Sequence, residues 1–100
     1  MHTSQVIVTL RKKKNLSQTE FAKMIGLTQA SLSNLESNKK KPHKSTISRI
    51  CEVVEIPEQL FYLLALDEAD LPDYAKERFN TIGKDLKDVI LKSLESEIPV

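Results

Sequence analysis

The residues best suited to chemistry lie between positions 28 and 41. Gln29, Ser31, Ser33 and Asn34 surround Leu32 and Leu35, so a helix here would anchor on its leucines and hold polar groups outward. Amide side chains both donate and accept hydrogen bonds, which matches the N6 and N7 edge of adenine. A helix presented this way fits the DNA major groove, its first residues meeting base edges. Lys39, Lys40 and Lys41 follow directly, where phosphates would lie, in a stretch from Ser37 to Pro42 that reads as a loop by composition. Other chemistries lack support. Ser, His and Asp are present, but no motif unites them as a nucleophilic triad, so no enzyme activity is expected. His2 and His43 have no Cys or carboxylate partners at ligand spacing, so neither a metal site nor a cofactor is expected. Cys51 shares an apolar stripe with Ile47, Ile50 and Val54 and reads as a small core residue.

The elements that would position these groups are all helical. Val6, Ile7 and Leu10 set the face of a first helix that runs into Arg11-Lys12-Lys13-Lys14 and stops at Asn15, a residue that tolerates the left-handed conformation of a helix end. Ser17-Gln18-Thr19-Glu20 matches a capping box and opens a short second helix with Phe21, Met24 and Ile25 inward. Gly26 ends it in a tight turn, and Thr28 caps the third helix through Glu36. Ser45 or Thr46 is the expected cap of a fourth helix. Pro57 is expected at the first position of a fifth, with Leu60, Phe61 and Leu64 as core. After Pro72, Leu71, Ala75, Phe79, Ile82, Leu86, Val89, Ile90 and Leu94 recur by threes and fours as one apolar stripe. Gly83 either breaks this stretch into two helices or bends a single one.

One hundred residues, 40% hydrophobic, suit one domain with a modest core, and with five aromatics and no Trp that core is mainly Leu, Ile and Val. The net charge of +1 hides an asymmetry: Met1 to Leu66 carries ten Lys or Arg against five Glu, and the remainder five against nine acids. The basic part suggests a polyanion partner and the acidic tail a different task. No apolar run spans a bilayer, no signal peptide is visible, and a single Cys fits a reducing cytoplasm.

From Leu16-Ser17-Gln18 through Phe21-Ala22, Gly26-Leu27-Thr28-Gln29, Leu32-Ser33-Asn34-Leu35-Glu36, Pro42 and Leu60-Phe61, the chain resembles the Cro/cI-like (XRE-type) helix-turn-helix repressors. The likeness covers roughly Val6 to Leu66. It implies an all-α, five-helix lambda-repressor-like domain over 1–66, to which the tail's apolar period adds one or two further helices in 67–100. It also implies base reading by Gln29, Ala30, Ser31, Ser33 and Asn34. Gln18 matches the family's phosphate-binding Gln that buttresses the next one. Thr28, Ser37 and Asn38 fall where relatives touch the sugar-phosphate backbone, and Arg11 and Glu36 match an Arg–Glu pair that ties the first helix to the third. Two departures stand out. Ser37-Asn38 replaces a common Asn-Gly, and Ala30 can only offer a methyl contact.

Lys12 to Lys14 fit either a solvated helix end or a phosphate contact. The tail stripe must bury against the body or a second copy, because a lone helix is unstable in water. Pairing with its twin would double the few base contacts of one head on a two-fold-symmetric site. The expected function is therefore a cytoplasmic transcriptional regulator, a repressor binding a palindromic operator on double-stranded DNA as a homodimer. The alternative is an antitoxin that neutralises a toxin partner while autoregulating its operon; an effector partner is equally compatible.

Overall fold

The computed structural model describes residues 2–96. Met1 and residues 97–100, the ends of the two expected segments, lie outside them. The described residues are helical with no strand. The helices are α1 (Thr3–Lys13), α2 (Gln18–Met24), α3 (Gln29–Glu36), α4 (Lys44–Val54), α5 (Glu58–Ala65), α6 (Asp73–Arg78) and α7 (Lys84–Ser96). The chain divides into two compact units, Met1–Ala65 and Leu66–Val100.

In the first unit the helix starts follow local chemistry. The Gln5 side chain accepts from the His2 amide at 2.9 Å. Ser17 Oγ accepts from the Glu20 amide at 3.1 Å while the Ser17 amide donates to the Glu20 carboxylate at 3.2 Å, closing the expected box. These hydrogen bonds, the one from the Ser17 backbone foremost, hold the Glu20 carboxyl below the usual carboxylate range. Thr28 Oγ1 accepts from the Ser31 amide at 3.1 Å.

The helix ends share one device. After α1 to α4 a single residue takes positive φ: Asn15 at 56°, Gly26 at 75°, Asn38 at 63° and Glu55 at 60°. The next amide then reaches back to a carbonyl five residues earlier, as in Leu16 to Arg11, Leu27 to Ala22, Lys39 to Asn34 and Ile56 to Cys51. That is the Schellman pattern, which satisfies carbonyls left open at a helix end. Asn15, Gly26 and Asn38 suit the conformation; Glu55 does not, and nothing in its side chain announces it.

α1 packs against α3, α4 and α5, and α2 against α3. Val6, Ile7, Phe21, Ile25, Leu32, Ile50 and Phe61 are fully buried. Three expectations need correction. Met24 is 55% exposed rather than inward. Ala22 takes its place: on a helix Ala22 and Met24 flank the Phe21–Ile25 pair at about equal angles, and the neighbouring helices cover the Ala22 side. The fourth helix is capped by His43, not Ser45 or Thr46: the His43 carbonyl accepts from the Thr46 and Ile47 amides at 3.0 and 3.1 Å. Thr46 is buried with Ile47 on the inner face, which requires its turn to be helical already. Pro57 stands just before α5, its carbonyl accepting from the Leu60 amide at 3.0 Å, rather than inside it.

In the second unit a turn of 3₁₀ helix, Glu68–Asp70, precedes α6. α6 runs into α7 through a π-helical segment, Phe79–Gly83, so Gly83 does not break the helix. A Cβ at Gly83 would stand 2.7 Å from the Phe79 ring, so the glycine makes room for that ring. Lys87 Nζ lies 5.2 Å from the same ring's centre and donates to the Leu66 carbonyl at 2.5 Å. The wider π turn shifts the register of everything after it. The single expected stripe is not uniformly covered: Ile82, Leu86 and Val89 are exposed, while Phe79 and Ile90 are half-buried and Leu94 is buried.

Candidate nucleic-acid interface

α2 and α3 meet through the turn at Gly26, and α3 buries Leu32 and Leu35. With those two fixed inward, the helical period turns Ala30, Ser33, Asn34 and Ser37 to the opposite side, with Gln29 and Ser31 at its margins. Gln29, Ala30 and Ser31 are exposed; Ser33 and Asn34 are half-buried. Thr28, Ser37, Asn38, Lys39, Lys40 and Lys41 are exposed, and Gln18 is half-buried.

Both ends of α3 are fastened. At its start the Thr28 hydroxyl accepts from the Ser31 amide and donates to Ser31 Oγ at 2.9 Å. The Ser31 hydroxyl accepts that bond and keeps its own proton to donate outward. At its end the Asn34 carbonyl receives the Lys39 amide at 2.9 Å and the Lys40 amide at 3.3 Å. Lys39 and Lys40 therefore leave from a turn folded against the helix, and Lys41 follows directly.

A hydrogen-bonded chain underlies the outer face. Arg11 Nε donates to Glu36 Oε2 at 2.8 Å and Arg11 Nη2 to Glu36 Oε1 at 3.0 Å, a two-pronged pair whose side chains are 13% and 6% exposed. Arg11 Nη1 donates to the Leu16 carbonyl at 2.9 Å, using a third donor of the same guanidinium. Gln18 Nε2 donates to Glu36 Oε1 at 3.0 Å, and Gln29 Nε2 donates to Gln18 Oε1 at 2.8 Å. The bond from Gln18 to Glu36 has no local sequence signal, because its partners are 18 residues apart and meet only when α2 crosses the end of α3.

The described residues contain no cluster of three or more His, Cys, Asp or Glu able to hold a metal ion, and no helix long and apolar enough to cross a membrane. Cys51 is buried, and burial, with the Glu58 carboxylate second, pushes its thiol up to about 11.

A family model described as "Helix-turn-helix" matches residues 7–61, the stretch that builds α1 to α3 and the helices packed behind them. The "ImmF control region 10 kDa protein" of Bacillus phage phi105 is 39% identical over 46 residues, which is 46% of this chain and 51% of that protein. The chain thus spans about half the length of the curated relative it matches. No solved structure matches it significantly.

Proposed function

The chain belongs to the helix-turn-helix family, with the all-α lambda-repressor-like fold, and from that membership we propose a DNA-binding transcriptional regulator. In this reading it is a repressor that binds a palindromic operator as a homodimer. The observation that carries the proposal is α3 itself, a short helix anchored by Leu32 and Leu35, fastened at both ends, with Gln29 steadied by Gln18. α3 enters the major groove. Gln29, Ala30, Ser31, Ser33 and Asn34 face base edges, Ala30 offering only a methyl. Gln18, Thr28, Ser37, Asn38 and Lys39 to Lys41 meet the sugar-phosphate backbone, with the Thr28 hydroxyl giving up its bond to Ser31 if it is to donate there. Arg11 and Glu36 hold the frame. The control-region name of the phage relative agrees with a regulatory role.

Selection of bound duplexes from a random pool tests this reading. A palindrome is expected, with half-site centres about 34 Å apart, one helical turn. Gln29→Ala should erase preference at one base pair per half-site, costing about 1–3 kcal/mol there. Lys40→Ala should weaken all sequences alike. Enrichment of no sequence, or the same uniform loss in both variants, would refute the assignment of α3.

A further inference from the structure

A glutamine amide has an oxygen end that accepts and a nitrogen end that donates, and the two ends have almost the same shape. Turned one way it offers a different pattern from the other. Gln29 sits at the exposed start of α3, where nothing apolar dictates which way it turns. The decision is made two residues away in the hydrogen-bonded chain, at Glu36.

The Glu36 carboxylate can only accept. Oε2 takes the Arg11 Nε proton, and Oε1 takes protons from Arg11 Nη2 and from Gln18 Nε2. Gln18 can meet this group only through its NH₂. Reversed, its oxygen would face a carboxylate oxygen with no proton between them. Gln18 Oε1 is thereby turned toward Gln29, and Gln29 must donate to it, as it does at 2.8 Å. Gln29 is left with its carbonyl oxygen and one N–H for the groove, one acceptor and one donor. Had Gln18 faced the other way, Gln29 would accept from it and present two N–H donors.

Adenine shows the major groove an acceptor at N7 and a donor at N6, whereas guanine shows acceptors at N7 and O6. We propose that Glu36, acting through Gln18, sets the donor–acceptor polarity of Gln29 and so selects adenine over guanine at one base pair of each half-site. The inference rests on the reading of α3 as the base-reading helix. Glu36 is a positioning residue in it: it touches no base, and its effect on specificity is separate from its ion pair with Arg11.

The test uses the full chain and two duplexes of the selected operator that differ only at the base pair where Gln29→Ala loses preference. The unaltered protein should favour adenine over guanine there by about tenfold or more. In Glu36→Gln the amide at position 36 can turn its NH₂ toward Gln18 and reverse the chain. The adenine preference should then fall to parity or invert toward guanine, with other positions unchanged. Gln18→Met leaves the Arg11–Glu36 pair intact and frees the Gln29 amide to turn. It should bring the adenine-to-guanine ratio toward one, and it decides the matter alone if Glu36→Gln does not fold. Folded variants that keep the adenine preference while overall affinity shifts would overturn the inference and leave the reading of α3 standing. If Gln29→Ala changes no single position, the inference falls together with that reading.

Discussion

Replacing Glu36 with alanine strikes the joint where α1, α2 and the end of α3 meet. The substitution deletes both acceptors of the Arg11 fork and the acceptor of Gln18, while Arg11 keeps its bond to the Leu16 carbonyl. With the Arg11 side chain only 13% exposed, water cannot freely replace the lost carboxylate. Removing one partner of a buried ion pair costs about 3–5 kcal/mol. The remaining Leu16 bond and the residual exposure place this site near the lower end, about 3 kcal/mol. At roughly 4–8 °C per kcal/mol for a domain of this size, the melting temperature should fall by about 12–24 °C. Thermal unfolding followed by far-ultraviolet circular dichroism measures it directly. The doubly apolar Arg11→Met/Glu36→Leu protein should lose less than Glu36→Ala alone, because it leaves no buried charge unpaired. A Glu36→Ala melt indistinguishable from the parent, or a double variant less stable than the single one, would refute the reasoning.

With about six phosphates neutralised per dimer, log K for operator binding should fall with log salt at a slope near −5; titration by fluorescence anisotropy at several salt concentrations reads it, and a flat response contradicts a phosphate-driven mode. The Cys51 thiol titrates higher in the folded chain than in the unfolded one, so its contribution to stability is present below about pH 9 and lost as pH rises toward about 11. Denaturant melts across that range should show the loss, and Cys51→Ala should remove the pH-dependent part. Glu55→Gly relieves a left-handed residue worth about 1–2 kcal/mol of strain, offset in part by backbone entropy, so a net gain of about 0.5–1 kcal/mol is expected in the same melts. Truncation after Leu66 should leave a folded head that sediments as a monomer and binds a single half-site weakly. Undiminished operator affinity in that head would remove the second unit from any role in pairing.

The local features of this protein are legible in its residues because they depend on atoms only a few positions apart. Ser17 and Glu20 form their box, Thr28 caps α3, and Asn15, Gly26 and Asn38 turn where side chains that tolerate positive φ stand. Leu32 and Leu35 bury as their spacing requires. Other features were decided by packing. Period alone left Met24 as eligible as Ala22 for the inner face of α2, and only the direction from which α3 approaches chose between them. Glu55 takes a conformation foreign to its type because the reversal after α4 buries Ile56 while its amide bonds the Cys51 carbonyl. The apolar stripe of the second unit reads as continuous in one dimension, yet within α7 Leu86 and Val89 are exposed while Leu94 is buried. The chain from Arg11 through Glu36 and Gln18 to Gln29 links partners 25, 18 and 11 residues apart. Hydrogen bonds between side chains hold only over about 3 Å and fade steeply with angle, so the polarity of Gln29 is fixed by how three helices cross, which no residue carries by itself.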